Sequence, residues 1–231
     1  MFPEKLLFAS RIFAVGAGAL ALAACGQSSS ENGADGGTAS GGSEVIDDTK
    51  TGALSEMSLG AADAPVTVIE YASVTCPHCA TFHETVFPEI KEKYVDTGKV
   101  RFVFREFPTA PAELSVVGSM LARCAADKGG DDAYFLVLGS LFKTQDKWIY
   151  GDTREELMKI GAQAGLDSEA FDACVRRQEL VDLINETVAD GRDRYDINST
   201  PSFIVDGTRR NFTTVDAMSE AIDAALEKAE S

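Results

Sequence analysis

Cys76-Pro77-His78-Cys79 sets two thiols three residues apart. Just before them, Val66-Thr67-Val68-Ile69-Glu70-Tyr71 reads as a buried strand. Just after, Cys79, Phe82, Val86 and Ile90 recur on one helical face. The pair therefore lies at a strand-to-helix turn. The first thiol faces the start of the helix, where unpaired N–H groups and the dipole favour negative charge and draw a thiol toward the reactive thiolate. The second lies one turn on, within reach to close a disulfide, so the predicted chemistry is dithiol–disulfide exchange. Pro77 suits the first helical turn and removes no needed donor. His78, beside the thiolate, can stabilise it by charge or hydrogen bonding. A competing use of such a pair is half a zinc site, completed by His83 and one more ligand, but the chain has no second Cys-x-x-Cys. The reading assigns no metal and no cofactor.

The elements around the motif follow from periodicity and turn residues. Cys76 to about Tyr94 predicts a helix kinked at Pro88, and Asp96-Thr97-Gly98 a turn. Val100–Phe107 predicts a second strand, parallel to the first across a crossover. From Pro111 to about Tyr195 the pattern is helical. Leu114, Val117, Leu121 and Cys124 share a face, Tyr134–Phe142 follows, and Thr153–Ala164 opens on a capping box of Thr153 and Glu156. Helices from Ser168 and over Leu180–Tyr195 complete the run. Ser202–Val205, the hairpin signal Asp206-Gly207, Arg209–Phe212 and an amphipathic Val215–Lys228 end the chain.

The N-terminal stretch carries a different signal. Residues 1–24 read as a signal peptide: Lys5 and Arg11 precede Ile12 to Ala24, an apolar run too short to span a bilayer unaided. Leu22-Ala23-Ala24-Cys25-Gly26 resembles the lipobox of bacterial lipoproteins, which implies cleavage before Cys25, its acylation and a lipid anchor. Ordinary cleavage after Ala21 or Ala23 is the alternative, giving a soluble periplasmic protein. Five cysteines in an exported chain favour acylation of one, because four then remain to pair. Residues 25–54, rich in Ser, Gly, Asn and Asp, read as a flexible tether, and 55–231 as the folded part. The net charge of −16 argues against nucleic acid and against docking on anionic lipid.

The order β-α-β, helical insert, β-β-α, with Cys-x-x-Cys opening the first helix and Thr200-Pro201 opening a late strand, resembles the thioredoxin fold. The insert and the sequence Cys-Pro-His-Cys narrow the resemblance to DsbA-like thiol:disulfide oxidoreductases, over about residues 55–228. It implies an α/β thioredoxin fold with a helical insertion at about 111–197 between the βαβ and ββα halves. It implies Cys76 as an exposed attacking thiolate and Cys79 as the thiol that resolves the mixed disulfide. Pro201 would be a cis-proline beside the site, with the Thr200 backbone pairing to substrate. Glu70 would be a buried acid assisting proton transfer, for which Lys99 is the one candidate basic partner. On the residues alone, Thr200-Pro201 reads equally as a trans strand start, Glu70 as a solvent-facing strand end, and His83 as a surface helix residue.

Two cysteines remain. Cys124 and Cys174 both fall on apolar faces and read either as buried free thiols or, in an exported protein, as a structural disulfide. The resemblance further implies reduced exported polypeptides as substrates, a membrane partner that reoxidises the pair, and a monomer. The alternatives are an isomerase or reductase of the same fold, which would be expected to carry a dimerisation module ahead of the catalytic domain, and an envelope-tethered metal-binding or chaperone module using the cysteines as ligands.

Overall fold

The computed structural model is described here for residues 50–231. The signal peptide, Cys25 and most of the tether lie outside the described residues. Packing begins early: the 3-10 turn Gly52–Leu54 buries Ala53, within the stretch assigned to the tether.

The element order is β1 (Met57–Leu59), β2 (Val66–Ala72), α1 (Pro77–Thr85), α2 (Phe87–Ile90), a π-helical turn (Lys91–Val95), β3 (Val100–Glu106), α3 (Ala112–Lys143), α4 (Gln145–Tyr150), α5 (Thr153–Ala162), α6 (Ser168–Cys174), α7 (Gln178–Tyr195), β4 (Ser202–Val205), β5 (Thr208–Arg210) and α8 (Val215–Ala229). One five-stranded sheet runs β1-β3-β2-β4-β5. β2 and β3 pair in parallel, Val66 opposite Val100 through Ala72 opposite Glu106, while β1 and β4 add antiparallel. The halves β2-α1-β3 and β4-β5-α8 flank a helical insert, an α/β thioredoxin-like architecture.

β2 is central, with strands on both sides and apolar layers on both faces, so its side chains are buried almost throughout. On one face Val68, Phe102 and Phe203 pack with Phe82 of α1 and with Met218 and Ile222 of α8. On the other, Ile69, Tyr71, Val103 and Ile204 pack with Val188 and Tyr195 of α7. α7 can come this close because residue 191 is glycine: a Cβ there would stand 2.6 Å from the Tyr71 ring.

Three local readings change. The helix after the motif breaks at Val86, two residues before Pro88. The break between the first two insert helices falls as expected, where Gly129 and Gly130 leave helical geometry inside the span 112–143. Asp152, not Thr153, caps α5, its carboxylate accepting from Glu155 N; a carboxylate accepts from the helix start as a hydroxyl would. β1 and α4 are additions, one of three residues and one of six, too short for a clear periodic signal. The hairpin turn is as expected, with positive φ at both Asp206 and Gly207.

A second polar centre holds the insert to the sheet. Arg123 of α3 donates to Glu106 at 2.6 Å and to the carbonyls of Ala53 and Ser55 at 3.0 and 3.1 Å. Tyr134 donates to the other Glu106 oxygen at 2.8 Å. All three side chains are buried, and burial together with the Glu106 charge pushes the Tyr134 hydroxyl well above its ordinary pKa.

Candidate active site

The turn between β2 and α1 is fixed by hydroxyls. Ser73 Oγ lies 2.9 Å from Thr75 Oγ1 and 2.8 Å from Ser115 Oγ, and it accepts from Thr109 N at 3.1 Å. Gln145, at the start of α4, donates to the carbonyls of Val74 and Cys76 at 2.8 and 3.0 Å. The chain therefore enters α1 in one geometry, with Cys76 as N-cap and Pro77 at the first helical position.

Both motif thiols are free. The Cys76 thiol donates to the Thr200 carbonyl at 3.5 Å. Its pKa falls from the ordinary 9.0 to about 5. Donation from the Cys79 thiol is the largest cause; burial opposes it, and the Thr200 side chain and the backbone N–H groups of Cys79 and His78 add to it. Cys79 moves the other way. Burial first, then its donation to Cys76 and the Glu70 charge, push its thiol far above the ordinary value. One sulfur is thus held as a nucleophile and leaving group while its mate stays protonated.

Cys76 is not the open thiol the resemblance implied: only 7% of the residue is exposed. Thr200, whose carbonyl meets the Cys76 sulfur, lines an apolar groove of about 210 Å³ together with His78, Phe82, Pro201 and Phe212. The Thr200–Pro201 bond is cis, and the Thr200 carbonyl lies against Cys76. His78 is exposed, and what reaches the sulfur is its backbone N–H, not its ring.

Glu70 is fully buried, which excludes the solvent-facing alternative. Its partner is not Lys99 but His83, whose Nε2 lies 2.8 Å from Glu70 Oε2. The His83 side chain is 8% exposed and stacks on Phe142, so it is not a surface residue. The signal was present: His83 follows Cys79 by four residues, and side chains four apart share a helical face. Gln145 and Ser115 had no such signal, because their partners lie far away in sequence. Among the described residues, no three His, Cys, Asp or Glu side chains are grouped to hold a metal.

Cys124 and Cys174 form a disulfide, S–S 2.08 Å, closing a separation of 50 residues within the insert. It lies in the core cluster that also contains Cys79, Val74 and Trp148.

Fold and site together define a thioredoxin-fold protein with a two-cysteine redox centre and a helical insert. A family model described as thioredoxin matches residues 53–224. A putative protein-disulfide oxidoreductase of Rickettsia bellii is 36% identical over 174 residues, covering 75% of this chain and 65% of that protein. The probable disulfide bond formation protein D of Bacillus anthracis is 31% identical over 179 residues, covering 75% of this chain and 79% of that protein. The crystal structure of Wolbachia pipientis alpha-DsbA1 superposes with a TM-score of 0.69 at 31% identity, covering 76% of this chain and 92% of that one. The chain belongs to the thioredoxin family, within its DsbA-like group. It spans less than two thirds of the length of the Rickettsia relatives it matches. No helix among the described residues is long and apolar enough to cross a membrane.

Proposed function

We propose that this protein is a thiol:disulfide oxidoreductase that introduces disulfides into exported polypeptides through Cys76 and Cys79. The observation that carries the reading is the placement of Cys76 at the start of α1, its sulfur against Thr200 beside the Thr200–Pro201 groove, with Cys79 buried one turn on. In the oxidised form a reduced substrate thiolate attacks Cys76 Sγ. The Cys76–Cys79 bond breaks, its electron pair stays on Cys79, and Cys79 takes a proton with help from Glu70. A second substrate thiolate attacks the substrate sulfur of the mixed disulfide and releases Cys76 as the thiolate. The substrate leaves oxidised by two electrons, and a membrane partner takes those electrons to regenerate the pair. Pro77 orders the first turn of α1, His78 borders the groove, and Thr200 and Pro201 receive the substrate backbone.

A thiolate held this far down stabilises the reduced form, and so makes the disulfide an oxidant. Export with acylation at Cys25 would hold the protein, as a monomer, on the envelope side of a bacterial membrane, where disulfides persist.

Equilibration of the pair against glutathione tests the direction. A potential near the about −120 mV of DsbA supports the oxidase, and one near the about −270 mV of thioredoxin overturns it. Parallel assays on a reduced and on a scrambled substrate separate oxidase from isomerase: the reduced substrate is expected to be the faster.

A further inference from the structure

On the α7 side of the sheet, β3 presents Arg101, Val103 and Arg105 in alternation. Arg105 is engaged: it donates to Glu56 at 3.0 and 2.6 Å and to the Tyr71 hydroxyl at 2.9 Å. Arg101, four residues back, is not. No hydrogen bond or ion pair holds its side chain among the described residues, and its Nε is buried without a partner. Asp131, whose carboxylate its charge reaches, is bonded to Ser58 N at 3.2 Å and does not line the groove described next. A buried donor left bare is costly, and in a native fold it asks for a reason. Across the strand pair, Thr67 of β2 stands in register with Arg101, about 4.8 Å away, and its hydroxyl has no described partner either. Both residues line a groove of about 460 Å³, with Ile69, Val103 and Ile204 as its apolar wall. Its other charges cancel, Arg105 against Glu56 and Lys228 against Asp206, so Arg101 is the uncompensated one. The groove lies at the start of β2, whereas Cys76 follows the far end of that strand, and it shares no residue with the groove beside Pro201.

We infer that Arg101 and Thr67 are the head of a second binding site, one that takes a compact organic carboxylate and lays its carbon body along Ile69, Val103 and Ile204. A guanidinium offers its N–H donors as a planar fork that matches the two oxygens of a carboxylate. The Thr67 hydroxyl, beside it in register, adds a third kind of donor from the neighbouring strand. The apolar wall favours an acid with a carbon body over a bare inorganic ion, and the volume falls within the range of about 300–1,000 Å³ usual for small-molecule sites. The competing account has the Arg101 stem merely covering the sheet while its head seeks water. A head that seeks water turns its nitrogens outward, and the Nε of Arg101 is buried instead. The inference does not depend on the redox reading of Cys76 and Cys79.

The test is an amide NMR titration of the isotope-labelled protein at neutral pH with hexanoate, hexanamide and inorganic phosphate. Hexanoate is expected to saturate, with its shifts centred on Thr67, Arg101 and Val103. Hexanamide lacks the charge and phosphate lacks the carbon body, so each is expected to bind about tenfold more weakly or worse. Arg101→Gln is expected to weaken hexanoate about tenfold or more, the least that a hydrogen bond to a charged group is worth, and Thr67→Val about fivefold, as for a neutral one. No saturation by hexanoate would overturn the site. So would shifts centred on Thr200 and Phe212, which place the acid in the redox groove instead. Equal binding of the amide, or undiminished binding by Arg101→Gln, would show that no guanidinium reads the ligand. Phosphate binding as tightly as hexanoate would remove the apolar wall from the account. If Arg101→Gln does not fold, Thr67→Val, which keeps the shape of the side chain, decides together with the amide.

Discussion

At the scale of single residues, the site works by giving two like groups unlike surroundings. Cys76 sits at a helix start with donors aimed at it, and Cys79 sits in a core with a carboxylate nearby. The linkage has a definite sign. A thiol lowered from 9.0 to about 5 contributes stability that is complete above the ordinary value and is lost as pH falls through about 5. Cys79, shifted upward, adds no slope in that window, because it stays protonated both folded and unfolded below about 9. The melting temperature of the reduced protein minus that of the oxidised protein is therefore expected to rise steadily from pH 5 to pH 9. Oxidation removes this titration while leaving most others in place. Melts of both forms across that range check it, and a flat difference would mean that Cys76 is an ordinary thiol. The two cysteines were legible because their whole chemical statement fits in four adjacent residues. Glu70 was half legible: its type and distance from Cys76 could be read, and the spacing of Cys79 and His83 put the histidine on the right helical face, but the alternation along Val66–Tyr71 does not show which face of a fully buried strand carries the acid.

At the scale of elements, the insert is stabilised by a covalent tie and by a buried ion pair. The Cys124–Cys174 bond closes 50 residues, worth about 4 kcal/mol on a chain-entropy account. Replacing both cysteines by alanine is expected to lower the melting temperature by roughly 8–16 °C for a domain of this size. The Cys76 titration should stay within about 0.3 units, small beside the shift of one unit that 1.36 kcal/mol represents. A scanning melt and a thiolate absorbance titration on the same sample read both, and a melting temperature within a degree or two of wild type would mean the tie constrains little. Helix existence in the insert was readable from periodicity and from the glycines that punctuate it. The joint at Gly129 and Gly130 was readable in the same way. What could not be read was α4, too short to announce itself, although it delivers Gln145 to the active-site turn.

At the scale of the whole molecule, the charge of −16 gives the surface one dominant sign. Among the described residues, Arg123 is buried, and Arg105 and Arg177 are paired with Glu56 and Asp127. Encounter with an unfolded substrate is then governed by the substrate's charge. Exchange with an acidic reduced peptide is expected to quicken, and with a basic one to slow, as salt shortens the Debye length from about 30 Å at ~0.01 M to about 8 Å at ~0.15 M. Stopped-flow rates for two peptides differing only in flanking charge check this, and parallel salt dependences would show that the surface plays no part in encounter. Overall topology was legible because each half announces itself through a strand beside a motif, Cys76–Cys79 in one and Thr200-Pro201 in the other.

The amide of Gln145 has a wider consequence. A thioredoxin core is commonly pictured as complete, with any inserted helices carried as luggage. Here the luggage holds the door: cutting residues 112–195 to make a minimal enzyme would strip the carbonyls of Val74 and Cys76 of their side-chain donor and lay Val74 and Phe104 open to water. The excised protein would keep both sulfurs and lose the frame that tells them apart.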